Sequence, residues 1–448
     1  MEYNQFIIKK LFTNISFCFL FLGQYLAAQN YNSWFTGNPV DSLASPSGGI
    51  CLMGGATEDD NAMRWFLQRA NGGDVLVLRA SGSNGYNDYL YSQLGVQVNS
   101  VETILCNNAS SSYDTYVLSR IEKAEAVWFA GGNQWNYISY WRNTPVDSLL
   151  NKALRERNIV IGGTSAGMAI MGGMYFSAQN GTVTSAIAMT NPYNAQVSID
   201  SAAFLKNPYL ENVITDTHFD NPDRRGRLAT FLARIRQDYS LEGKAIACEE
   251  YTAVCIDSGG TALVYGGGPA SNDKAYFVQV NCAIENNVPE TCQPGTPLSW
   301  NQSGSALKVL TIPGIPSGNF ALNLKNWQSA PNVNWQDWSV NNGQLTTLVS
   351  GAPDCSLMKA KTPEIPSSRR LISEPGSNRF RLMFLASEPG NFTVRMFNSF
   401  GLEIPIKISN AHHGEIIIEP LYNIPGIFTL TAMPESGLVF RQKIFLQP

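Results

Sequence analysis

The sequence predicts an α/β protein: a three-layer, mostly parallel sheet with helices on both faces, then a β-rich extension and a small C-terminal β-sandwich. Three observations carry this. Between about residues 49 and 265, short apolar runs alternate with helix-like stretches, the pattern of a parallel sheet covered on both sides. From about 245 to 310 apolar runs follow one another without helices between them. After a Pro/Ser/Arg-rich stretch, 361–375, strand-like runs are broken at Glu388-Pro389-Gly390, Asn398-Ser399-Phe400-Gly401 and Ile424-Pro425-Gly426.

In order, Lys9 and Lys10 precede an apolar stretch, Leu11 to Leu22, and Ala27-Ala28 supply small residues before Gln29, so residues 1–28 are expected to be a secretory signal peptide. Expected strands are Ile50 to Met53, Val75 to Leu78, Val101 to Leu105, Ala126 to Phe129, Ile159 to Ile161 and Val213 to Thr215. Helices are expected near Asp60 to Ala70, Tyr86 to Leu94, Tyr113 to Lys123 and Pro145 to Glu156. The last has Thr144 as N-cap and Pro145 at the first helical position. Ala245 to Ile256, Thr261 to Tyr265, Ala275 to Val280 and Ala306 to Leu310 are expected to finish the sheet and extend it. The expected domain is 45–350, followed by a linker, 351–375, and a β-sandwich, 376–448.

Composition narrows the function. With 448 residues, 15% charged, and a formal net charge of −4, nothing favours nucleic acid or an anionic membrane as a partner. No CxxC or His/Cys spacing suggests zinc, so no metal or organic cofactor is expected. Of eight cysteines, Cys18 falls in the leader; Cys282 and Cys292 are spaced to bridge, and Cys248 and Cys255 read either as a pair or as buried thiols.

Gly163-Thr164-Ser165-Ala166-Gly167 lies between the apolar run Ile159-Val160-Ile161 and the stretch from Met168 to Met171. This is G-x-S-x-G at a strand-to-helix junction, a nucleophile elbow that pushes a serine hydroxyl out of the sheet. Of three histidines, His218 is near in sequence; His412 and His413 lie far off in a turn-like stretch. Ser165 and His218 are the expected nucleophile and base.

The region from Ile50 to about Val280 resembles cyanophycinase and dipeptidase E, serine peptidases on a class I glutamine-amidotransferase-like fold. The resemblance rests on Met53-Gly54-Gly55-Ala56 with Glu58-Asp59-Asp60, Phe129-Ala130-Gly131-Gly132-Asn133-Gln134, Gly162 to Gly167, and Asp216-Thr217-His218-Phe219 with Arg224 and Arg227. It implies attack by Ser165 with His218 as base. It also implies oxyanion donors at Gly131, Gly132 and Ala166, and a site lined by Gln134, Asp216 and Arg227. Arg224 and Arg227 would meet a substrate carboxylate, a structural acid, or solvent on the face of a helix whose apolar stripe is Leu228, Phe231, Leu232 and Ile235. Substrates containing aspartyl units are implied, with a peptide as partner and a homodimer left open.

One departure stands out. The family places an acid about twenty residues past the serine, yet Ala166 to Ile199 holds no carboxylate. Asp200, Glu211 or Asp216 orients His218, a neutral group replaces the acid, or catalysis has been lost and a surface peptide-binding protein remains. The C-terminal region resembles the sorting domain of type IX secretion substrates in Val394 to Gly401, Pro425 to Phe428 and Arg441 to Phe445. This implies recognition by the secretion machinery and a secreted or surface location. A rival reading is a glycan-binding adhesin built on Trp300, Trp327, Trp335 and Trp338.

Overall fold

The computed structural model describes residues 30–355, apart from 202, 208, 268–272 and 330–333, and strand segments between 370 and 446. The expected leader (1–28) and His412-His413 lie outside the described residues. Two compact units divide at Asp354/Cys355. In chain order the first unit's strands are β1 (Asn32–Gly37), β2 (Gly49–Met53), β3 (Asp74–Arg79), β4 (Ser100–Leu105), β5 (Ala126–Phe129), β6 (Val160–Thr164), β7 (Tyr175–Phe176), β8 (Ile199–Asp200) and β9 (Val213–Asp216). They continue as β10 (Lys244–Cys248), β11 (Ala253–Ile256), β12 (Thr261–Tyr265), β13 (Lys274–Val280), β14 (Leu307–Pro313), β15 (Asn319–Asn323), β16 (Gln328–Ser329), β17 (Trp335–Asn341) and β18 (Gln344–Ser350). The helices used below are α1 (Asp60–Arg69), α2 (Thr115–Lys123), α3 (Gln134–Trp141), α4 (Pro145–Glu156), α5 (Ala166–Ala169), α6 (Ser185–Thr190) and α7 (Arg225–Tyr239).

A ten-stranded sheet runs β1-β4-β3-β5-β6-β2-β11-β12-β15-β16. Its centre, β4-β3-β5-β6-β2, is parallel, and β1 and β11 join it antiparallel. These central strands read as continuous apolar runs because both faces are buried. Alternate residues divide between two cores: Leu76, Leu78, Val127 and Ile161 pack with Val117 of α2 and Leu150 of α4, whereas Val75, Val77 and Val160 pack with Met63 and Phe66 of α1. Helix starts are set locally. Asp59 accepts from the Asn61 and Ala62 amides, and Asp114 from the Tyr116 amide. Thr144 does hold the N-cap position before Pro145, but its hydroxyl donates to the Trp141 carbonyl at 2.5 Å instead of capping.

A second, six-stranded sheet, β18-β17-β14-β13-β10-β9, is antiparallel except for the β9/β10 pair. Two expectations change here. The Val213 strand sits in this sheet and not the parallel one. The expected strand Ala245 to Ile256 is two strands, β10 and β11, belonging to different sheets. The break falls at Glu249-Glu250-Tyr251, where charge interrupts the apolar run and Tyr251 takes a left-handed φ of 61°. α7 seals this sheet with Leu228, Phe231, Leu232 and Ile235 against Ala245, Ala247 and Val278.

The second unit has two four-stranded antiparallel sheets. One is β19 (Arg370–Ser373), β20 (Phe380–Met383), β24 (Glu415–Pro420) and β23 (Ile406–Ala411). The other is β22 (Glu403–Ile404), β21 (Phe392–Asn398), β25 (Gly426–Pro434) and β26 (Phe440–Leu446). β19 thus begins inside the stretch expected to be linker.

Candidate active site

β6 ends at Thr164, and the chain turns through Ser165 into α5 with φ 51° and ψ −114° at the serine. An L-residue held there carries about 1–3 kcal/mol of strain, which persists only where the surroundings enforce it. They do. A Cβ on Gly163 would lie 2.6 Å from the Gly167 carbonyl carbon, and one on Gly167 would lie 2.1 Å from the Phe129 carbonyl oxygen. Only glycine at both positions lets strand and helix cross this closely, so the motif spacing and the serine's strain have one origin.

His218 follows β9 by two residues, itself at φ 45°. Its Nε2 lies 2.9 Å from Ser165 Oγ, and its Nδ1 lies 2.6 Å from Glu250 Oε1. Glu250 is on the turn after β10, where its backbone N–H donates to Asp220 Oδ1 at 2.9 Å. The bond from His218 holds the Glu250 carboxyl below the ordinary glutamate range, with help from Asn221 and the Arg224 charge and against the cost of burial. A carboxylate at Nδ1 assigns the ring proton to that nitrogen and leaves the Nε2 lone pair facing the serine hydroxyl. His218 and Glu250 keep 25% and 17% side-chain exposure, so the site is reached from solvent.

The structure places the three acids expected to orient His218 elsewhere. Asp200 pairs with Arg142, which also meets the Tyr175 hydroxyl. Glu211 is exposed in the turn before β9. Asp216, 3% exposed, accepts from Arg227 Nε at 3.0 Å, from Arg227 Nη2, and from the Thr217 amide at 2.8 Å. Arg227 is 2% exposed and also reaches the Val183 carbonyl at 3.3 Å, with its guanidinium 5.4 Å above the Phe176 ring. Of the roles left open for Arg227, the contact present is with a structural acid, Asp216, and the buried pair neutralises itself. Glu250 was missed because its neighbourhood reads as one strand. The available signal was the Glu249-Glu250 interruption of the apolar run, which falls just past the carboxyl end of β10.

Gly131 and Gly132 follow β5. A Cβ on Gly131 would stand 3.7 Å from Ser165 Cβ, and Gly132 has φ 148°. Gly131 therefore adjoins the serine, Ala166 is the first residue of α5 directly after it, and Gly132 faces Ser81 and the Tyr137 hydroxyl. Gln134 opens α3 and directs its Nε2 to the Phe176 carbonyl at 3.4 Å. Arg224 is half-buried and donates from Nη1 to the Thr217 carbonyl at 2.9 Å. Burial, then repulsion from Arg227, pulls its pKa below the ordinary arginine value.

Other expectations change. Cys282 is disulfide-bonded, as is Cys355, whereas Cys292 is a free thiol, so Cys282 and Cys292 do not bridge. Cys248 and Cys255 are both free and fully buried, and Cys255 faces Cys51 across β2/β11 instead. Trp300 and Trp338 are fully buried and Trp327 and Trp335 nearly so, which removes the stacking surface an adhesin would need.

Residues 79–263 match the model of Peptidase family S51, a span that contains Gly131, Ser165, His218 and Glu250. The chain is similar to a cyanophycinase from Synechococcus elongatus, with 25% identity over 232 residues, 49% of this chain and 66% of the relative. It is also similar to a cyanophycinase from Trichormus variabilis, with 24% identity over 179 residues, 40% of this chain and 54% of the relative. The chain therefore spans just under two thirds of the length of the first and about half of the second. Among solved structures, a peptidase from an acI-B1 Actinobacterium aligns over 52% of this chain and 91% of its own, with 14% identity and a TM-score of 0.39.

Proposed function

We propose that this protein is an exported serine peptidase that cleaves peptide or isopeptide bonds through a Ser165 acyl-enzyme. One observation carries the reading: the unbroken relay from Ser165 Oγ to His218 Nε2 at 2.9 Å and from His218 Nδ1 to Glu250 at 2.6 Å. Ser165 Oγ attacks the carbonyl carbon as Nε2 takes its proton, and the resulting imidazolium sits against an ionised Glu250. The tetrahedral oxygen is received by N–H groups of Gly131 or Gly132 and of Ala166. Nε2–H then protonates the leaving amine, and water repeats the sequence to release the acid. The contact of Glu250 with His218 favours catalysis over the peptide-binding alternative, which supposes that the acid is missing.

Aspartyl-containing substrates, either β-aspartyl-arginine polymer or Asp-starting dipeptides, are favoured by the likeness to cyanophycinases and by Arg224. Arg224 is half-buried and spends Nη1 on the carbonyl of Thr217, the residue before His218, a backbone bond that leaves its charge to receive a carboxylate. Arg227 is paired with Asp216 and is not assigned to the substrate. Export rests on the basic and apolar leader, and delivery to the surface on the resemblance of the C-terminal unit to a sorting domain.

The test is covalent labelling with a fluorophosphonate alongside hydrolysis of β-aspartyl-arginine. Wild type should be modified at Ser165, and Ser165→Ala and His218→Ala should abolish both signals. Arg224→Gln should raise KM for the acidic substrate while leaving fluorophosphonate labelling intact. A wild-type chain that is folded yet neither labelled nor hydrolytic would end the peptidase reading.

A further inference from the structure

Three consecutive carbonyls at the end of β2 each hold the backbone of a different part of the relay. The Met53 carbonyl accepts the Ser165 amide at 3.1 Å, the Gly54 carbonyl accepts the His218 amide at 2.8 Å, and the Gly55 carbonyl accepts the Tyr251 amide, next to Glu250, at 3.1 Å. The Gly54 amide closes the arrangement by donating to Thr252 at 2.9 Å. Ser165 and His218 both have left-handed backbone conformations that need such outside enforcement. The imidazole also rests on this segment. A Cβ on Gly55 would lie 2.4 Å from both Cε1 and Nε2 of His218 and 2.9 Å from Cδ2, and Gly55 has φ +127°. The ring has little room to yield, since Ser165 and Glu250 hold its two nitrogens.

We infer that Met53-Gly54-Gly55 is the jig that registers nucleophile, base and acid, and that Gly55 is a positioning residue for His218. The inference rests on the peptidase reading for its catalytic consequence, though the jig itself is a feature of the backbone. The serine sits on the parallel sheet, the histidine and glutamate follow strands of the other sheet, and β2 ties the two at the relay itself, while Thr215 Oγ1 ties β9 to the Met168 carbonyl of α5 at 2.7 Å. Loops from separate sheets drift independently unless something common to both fixes their distance. Misplacement of reacting groups by about 1 Å is enough to cost roughly a hundredfold in rate.

The experiment compares Gly55→Ala with Gly72→Ala. Gly72 also has a left-handed φ, +80°, but a Cβ there meets nothing within 4 Å, so it reports backbone strain alone. Gly55→Ala is expected to lower the maximal rate of fluorophosphonate inactivation about a hundredfold or more with the inhibitor's binding constant nearly unchanged. Its residual rate should also lose the imidazole titration from its pH profile. Gly72→Ala should keep both rate and profile. A Gly55→Ala protein that labels within about fivefold of wild type with an unaltered pH profile overturns the inference. Amide hydrogen exchange on wild type decides the matter even if that variant does not fold. The Ser165, His218 and Tyr251 amides should be protected and exchange together, and free-peptide exchange at any of the three overturns it. A wild type that resists labelling while showing this shared protection would sink the peptidase reading and leave the jig standing.

Discussion

Glu250→Gln isolates what the acid contributes. The side chain keeps its shape and the 2.6 Å approach to Nδ1 but loses its charge. Two charges about 4 Å apart attract by about 4 kcal/mol at an effective dielectric constant near 20. The residual exposure of both groups, 25% and 17%, trims that through solvent screening. Charge alone is therefore worth about 10²–10³ in the step that forms the imidazolium. An amide that donates to Nδ1 would also trap the wrong tautomer, raising the loss toward about 10⁴. The assay is the inactivation rate with a fluorophosphonate and kcat on a β-aspartyl-arginine dipeptide. His218→Ala and the double variant should be equally slow, because residues acting as one unit are not additive. A Glu250→Gln enzyme within about tenfold of wild type would refute the assignment. Stability offers a second check. Because the folded-state pKa of Glu250 is depressed, its contribution is present above the unfolded-state value near 4.3 and disappears as pH falls through the folded one. The stability difference between wild type and variant should close in acid.

Asp216→Ala leaves Arg227 buried without its partner and should destabilise the fold by about 3–5 kcal/mol in a denaturant melt, while the folded fraction labels at Ser165 within about threefold of wild type. Lost labelling with an unchanged melt would instead make Asp216 the orienting acid. At the opposite end of β5, burial raises the Glu125 carboxyl to about 7, opposed by the Asp74 amide and by Arg157. A raised acid means the folded state binds the extra proton, so stability should fall as pH climbs from about 4.3 to 7. Glu125→Gln should flatten that decline and gain on the order of 2 kcal/mol over wild type above pH 7, provided the amide keeps the Asp74 bond. A melting temperature for wild type that rises across this interval would contradict the sign.

Much of the parallel sheet was legible because its strands are buried on both faces and read as uninterrupted apolar runs between amphipathic helices. Ser165 was legible for a similar reason, since its conformation is enforced by glycines within two residues on either side. Ala245 to Ile256 failed because two short apolar runs separated only by Glu249-Glu250-Tyr251-Thr252 have the texture of one long strand with a polar interruption. The left-handed turn at Tyr251 and the pairing of β10 and β11 with different partners establish the break that Glu249-Glu250 signals, and Glu250 sits inside it.

By itself, the sequence determined local features: the elbow around Ser165 and the helix that begins at Pro145. Tertiary structure decided which carboxylate faces His218 and which is spent on Arg227, because both are carboxylates at strand ends and differ only in what folds against them. Local conformation is encoded by neighbours along the chain. The partner of a charged side chain is chosen by packing between segments tens of residues apart, here on two separate sheets that Met53-Gly54-Gly55 helps to join.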